Sequence, residues 1–112
     1  MSASGDRSET KFSRRLEFAK DATLDLRSIV RYTRRTWGDE QQVRYADRLS
    51  ASMQELLSHP HLGSARDDIG PDLRNLHVGQ HVIYYRVLDS SIRIVRILHA
   101  RMNAEEHLRG RI

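Results

Sequence analysis

The stretch from His81 to His99 reads HVIYYRVLDSSIRIVRILH, two runs of mostly β-branched and aromatic residues separated by Asp89, Ser90 and Ser91. Such side chains fit a pleated sheet better than a helix, so His81 to Leu88 and Ile92 to His99 predict two strands joined by a tight turn. A third run, Leu73 to Val78, precedes them. Val78-Gly79-Gln80-His81 puts glycine first in a two-residue loop, as a type II′ hairpin prefers, and the three runs together predict an antiparallel meander. In the last strand, strict alternation sets Ile92, Ile94 and Leu98 on one face and Val95 and Ile97 on the other. Both faces are apolar, which predicts an interior strand covered on both sides. Alternation also sets Arg96 with Ile94 and Leu98, and His99 with Val95 and Ile97. The two then point opposite ways, one structural and one exposed, unless the strand bulges. Arg86 falls with Val82, Tyr84 and Leu88, and Arg74 with Leu76 and Val78.

Such a sheet needs a cover, and the preceding residues supply one. From Lys20 to Trp37 the positions Ala22, Leu26, Ile29 or Val30, Thr33 and Trp37 recur at spacings of three and four, the mark of an amphipathic helix. Arginines 27, 31, 34 and 35 fill the other face and the last turn, where cations are favoured by the helix dipole. Gly38 suits the position after a helix end, and Asp39 with Gln42 matches a capping box opening a second helix. That helix carries Val43, Ala46, Leu49, Met53, Leu56 and Leu57 on one face and ends near Ser58, because Pro60 cannot continue it. With so short a link the helices fold back as a hairpin. Arg14 to Phe18 alternates like a short extra strand. His59 to Asp72, with Pro60, Gly63, Asp67, Asp68, Gly70 and Pro71, has the composition of a loop. Residues 1–12 read as a disordered lead-in, leaving one domain over 13–112. The expected class is α+β: a short N-terminal strand and an antiparallel helical hairpin packed on an antiparallel sheet, in the order β-α-α-β-β-β.

At 112 residues, the chain holds one core, and with no cysteine it has neither disulfides nor thiolate metal sites. No signal peptide or membrane span is evident, so a soluble cytoplasmic protein is expected. Of 19 basic residues only Lys11 and Lys20 are lysines. Arginine offers a fixed fork for carboxylates and phosphates, whereas lysine is the readily tuned proton carrier, so recognition is better supplied than acid-base chemistry. A net charge of +4 does not by itself imply nucleic-acid binding, and no sequence-specific DNA contact is expected. The six histidines match no metal-ligand spacing, and no phosphate-cradling or dinucleotide motif occurs, so neither metal nor cofactor is expected. Asp67-Asp68 and Glu105-Glu106 read as solvated acids, and Trp37 with the tyrosines at 32, 45, 84 and 85 as packing residues.

Taken in order, LDLRSIVRYTRRTWG, RYADRLSASMQELLSHPHLG, LRNLHVGQHVIYYR and IRIVRILHARMN resemble the ParE toxins of the RelE/ParE superfamily, from about Leu16 to Leu108. Tyr32, Thr33, Trp37, Gly38, Leu73, Arg74, the stretch 81–86 and the closing RILHARM carry the resemblance. Asn103 stands where ParE-like proteins usually show aspartate. The resemblance implies the toxin of a type II toxin-antitoxin module of the plasmid-stabilising kind, held in a hetero-oligomer by a ParD-like antitoxin and inhibiting DNA gyrase by contact, without catalytic residues. In that reading Arg96, His99, Arg101 and Met102 face the target. Leu26, Arg27, Val30, Arg31, Arg34 and Arg86 meet the antitoxin, and Trp37, Gly38, Leu73 and Tyr84 are structural. RelE-like relatives instead cut messenger RNA in the ribosome; here Arg74 and Arg96 would hold phosphate and His99 act as base. Both lysines precede Asp21 and no tyrosine follows Tyr85, which favours contact over cutting. A decayed, non-toxic module is the third reading.

Overall fold

The computed structural model describes residues 13–112; the expected lead-in over 1–12 lies outside them. Strand β1 (Arg15–Phe18) leads into helices α1 (Lys20–Trp37) and α2 (Asp39–Ser58). Then follow β2 (Ser64–Ala65), β3 (Leu73–Val78), β4 (His81–Val87), β5 (Ser91–His99) and a short α3 (Ala104–Leu108). The strands form one five-stranded sheet in the order β1-β5-β4-β3-β2. The meander β3-β4-β5 is antiparallel as expected, with Val78 opposite His81 and His81 opposite His99. The extra strand differs: β1 lies parallel to β5, Arg15 opposite Ser91 and Phe18 opposite Ile94. A helical hairpin intervenes between β1 and the meander, so the chain is free to re-enter in the same direction.

The helices cover one sheet face. Ala22, Ile29, Leu49, Met53 and Leu56 pack with Val78, Ile83, Tyr85, Ile92, Ile94 and Ile97. Against the expectation of one core, the other face has its own smaller core of Ile69, Leu73, Val82, Tyr84, Val95, Leu98 and Leu108, because the 66–70 turn and α3 close over it. Leu73 and Tyr84 are thus buried. Neither β2, inside the expected loop, nor α3 was anticipated. Asn103 makes α3 possible, since its Oδ1 accepts from the Glu105 and Glu106 amides at 3.0 and 3.4 Å.

Three local expectations need correction. The strand alternation breaks at a bulge: Tyr84 pairs with Arg96 but Tyr85 with Ile94, so Val95 is the extra residue. Ile97 accordingly joins Ile92 and Ile94 on the helix-covered face, and Leu98 joins Val95 on the other. The Asp39–Gln42 capping box does not form, because Asp39 is already helical and Gly38 takes the cap position at φ 91°. Gly38 instead closes α1 by donating to the Arg34 carbonyl at 2.9 Å. Trp37 is not a core residue: at the last position of α1 it is 66 % exposed.

Candidate interaction site

The bulge decides where the charged end of β5 goes. His99, opposite His81, returns to the helix-covered side, and the two imidazoles meet edge to face with centroids 5.4 Å apart. His81 in turn touches Tyr45 of α2, with Nδ1 2.6 Å from Oη. Oη also accepts from the Gln80 amide at 3.1 Å and donates to the Val78 carbonyl at 3.2 Å. The short contact between Tyr45 Oη and His81 Nδ1 is a hydrogen bond whose direction is set by the tautomer of the ring. Gly79, at φ 58°, permits this arrangement; a Cβ there would lie 2.7 Å from the Tyr45 ring. Burial, then the neighbouring His99, push the His81 pKa down, while Asp25 opposes them. His99 Nδ1 accepts from the Arg101 amide at 3.1 Å, so its neutral form carries the proton on Nε2.

Arg96 takes a different partner. Its Nε and Nη2 donate to the two Asp25 oxygens of α1 at 2.7 and 2.9 Å, and the Ile97 amide donates to the same carboxylate at 2.9 Å. Both side chains are well covered, 18 % and 15 % exposed, and the carboxylate raises the Arg96 pKa further. β1 ends at Phe18, so beyond Ile94 this edge of β5 has no strand to pair with; Asp25 takes that place. Arg96 and His99 therefore do not divide into one structural and one exposed residue. Both are part-buried, and Arg101 and Met102 beyond them are exposed.

Two clefts adjoin these residues. One, of about 280 Å³, is lined by Tyr32, Trp37, Tyr45, Arg48, His81 and His99 among others. The second, of about 360 Å³, shares Tyr32, His81 and His99 and runs past Asp25 to Met102. Leu26, Arg27, Val30 and Arg31 come together with Thr23 in a shallow groove along α1. Arg34 lies one turn on, 3.6 Å from Asp39. Arg86 is not with them. It shares the Val82 and Tyr84 parity of the face away from the helices, and its Nε donates to the Pro71 carbonyl at 3.1 Å. Arg74 is tied to the loop after α2, donating to the Gly63 carbonyl at 2.7 and 3.1 Å and to that of His61 at 3.3 Å. Tyr45, Asp25 and Arg48 were not foreseen as site residues. A tyrosine at a core-facing helical spacing was the one signal for the first, while Asp25 and Arg48 resemble any surface charge. Among the described residues no cluster of three metal-ligating side chains occurs, and no helix is long and apolar enough to cross a membrane.

The arrangement of a helical hairpin on this sheet has known counterparts. Residues 16–104 match the family model described as ParE toxin of type II toxin-antitoxin system, parDE. The chain belongs to the ParE toxin family. Toxin ParE1 of Caulobacter vibrioides is 36% identical over 90 residues, covering 80% of this chain and 93% of that protein. Toxin ParE of Escherichia coli is 32% identical over 94 residues, 82% of this chain and 90% of its own. A chain from the chromosomal ParDE system of P. aeruginosa superposes with a TM-score of 0.68 at 21% identity, covering 79% of this chain and 97% of that one. A chain of the E. coli DinJ-YafQ toxin-antitoxin complex does so at 0.50 and 16% identity, sharing the fold alone. The ParE match takes in β1 through the start of α3, so the Arg96–Asp25 pair, the Tyr45–His81–His99 cluster and the α1 groove all lie within the family domain.

Proposed function

We propose that this ParE-family chain arrests its target by protein contact, that the target is DNA gyrase, and that a ParD-like antitoxin neutralises it in a cytoplasmic hetero-oligomer. The observation that carries contact over cutting is the commitment of the cations a ribonuclease would need. Arg96 is held by Asp25, and Arg74 is spent on loop carbonyls. Arg74 also stands four positions along β3 from Val78, the residue opposite His81, which is roughly 13 Å of strand. A base at His99 and a phosphate contact at Arg74 do not converge on one reacting atom, and Arg96 is already paired. Exposed beyond His99 are Arg101 and Met102, a cation and an adaptable apolar side chain suited to gripping a protein. Arg96 supports that surface from within.

For the antitoxin, the α1 groove with Leu26 and Val30 flanked by Arg27 and Arg31 suits an amphipathic segment carrying carboxylates. The ParDE structural relative supports pairing with an antitoxin of that kind. Purified protein assayed side by side for inhibition of gyrase supercoiling and for ribosome-dependent messenger cleavage tests the reading. Inhibition without cleavage is expected; cleavage without inhibition would overturn it.

A further inference from the structure

The cleft at the turn between α1 and α2 is lined by two largely uncovered rings. Trp37 is 66 % exposed and Tyr32 57 % exposed, and both line the same 280 Å³ space with Tyr45 as a fixed wall. Protein interfaces concentrate their binding energy in such exposed tryptophans and tyrosines set beside a pocket. The wall is preorganised, since Tyr45 is held by the Val78 carbonyl, the Gln80 amide and His81. Rigid walls reduce the ordering cost of binding.

Charge narrows the occupant. The lining contains Arg48 and two imidazoles and no carboxylate. Asp25, in the adjoining cleft, is paired with Arg96 and also accepts from the Ile97 amide. Through Tyr32, His81 and His99 the space continues into that second cleft and on to Met102, the surface assigned above to the target. The α1 groove of Leu26 and Val30 lies elsewhere on the same helix. At about 100° per residue it is roughly 150° around the axis from Asp25, Ser28 and Tyr32.

We propose that the Tyr32–Trp37–Tyr45 cleft receives one aromatic or large aliphatic side chain of the toxin's protein target, presented on a segment whose carboxylate meets Arg48. This rests on the contact mechanism and extends it to residues on the helical hairpin. Trp37 is the anchor contact and Arg48 selects an acidic neighbour.

The test uses full-length Trp37→Ala, Trp37→Phe and Arg48→Glu variants, each checked for folding by thermal melting and for capture of the antitoxin. Growth arrest on induction and inhibition of gyrase supercoiling are then measured. Trp37→Ala and Arg48→Glu are expected to need about tenfold more protein or worse for half-inhibition, and to relieve arrest, with Trp37→Phe close to wild type. Variants as potent as wild type overturn the proposal. So do variants that keep toxicity and lose antitoxin capture, since the cleft would then be the antitoxin's. Wild type that arrests growth without touching gyrase removes gyrase as target, while relief of arrest in the variants still decides the cleft. Wild type that does neither overturns both.

Discussion

Asp25 does more for this molecule than any arginine it serves. One carboxylate satisfies two nitrogens of Arg96 and the Ile97 amide at the unpaired edge of β5. Its removal strands a covered guanidinium and a strand N–H together, so Asp25→Ala is expected to lower stability by about 2–4 kcal/mol in urea denaturation. Replacing both partners with apolar residues, as in Asp25→Leu with Arg96→Met, should cost less than that single change. His81 gives a second prediction at this scale. Its folded-state pKa is depressed, so the fold favours the neutral ring. That contribution is complete above the usual histidine value of about 6.5 and is lost as pH falls through the lower folded-state value. Groups facing it are Tyr45, His99 and Asp25. Thermal melts between about pH 7.5 and 5 should therefore fall more steeply for wild type than for His81→Gln. From the sequence, Arg96 could be seen to need a counter-charge among its apolar neighbours. Which acid supplies it could not, because Asp25 lies 71 residues away and resembles other helix-surface acids.

At the scale of elements, the two helices and the three-stranded meander follow from periodicity alone. The reason is that their apolar faces are long and their boundaries carry Gly38, Pro60 and Gly79. The bulge at Val95 was not legible, because Val, Ile and Leu fit either face and composition does not mark an inserted residue. The parallel direction of β1 was equally hidden, since four residues carry no information about which way a partner runs. α3 is too short for a helical period, yet its cap is recognisable once formed. Asn103 and aspartate rank alike at that position, so the departure from ParE-like aspartate leaves the cap intact. Asn103→Ala is expected to cost about 1 kcal/mol and to loosen Leu108 from the second core, while Asn103→Asp should be neutral or slightly stabilising. Denaturation of the three proteins side by side measures both.

For the whole molecule, both sheet faces are covered by packing, and the proposed binding surfaces lie on the helical hairpin and at the open end of β5. The groove and the clefts occupy different sides of α1, so their losses should separate. Leu26→Asp is expected to weaken antitoxin capture tenfold or more, by roughly the 1.4 kcal/mol or greater that an unpaired charge in an apolar contact costs, with gyrase inhibition unchanged. Arg101→Glu should do the reverse: Arg101 lends only its backbone amide to His99, so charge reversal relieves growth arrest while the melt and antitoxin affinity hold. The arginine-rich helix and the charged end of β5 were legible because each is local in sequence; the clefts beside them were not, because they bring together residues of α1, α2 and β5. The pairing of β1 with β5 has a further consequence. Glu17 and Arg93, 76 residues apart, meet across it. On the ribosome the first strand is made long before the strand it joins. A message broken ahead of the codons for Ser91–His99 thus yields a product with β1 unpaired, Asp25 without its cation and the helix-covered core unclosed. Toxicity is expected to arrive with the last strand rather than in proportion to length.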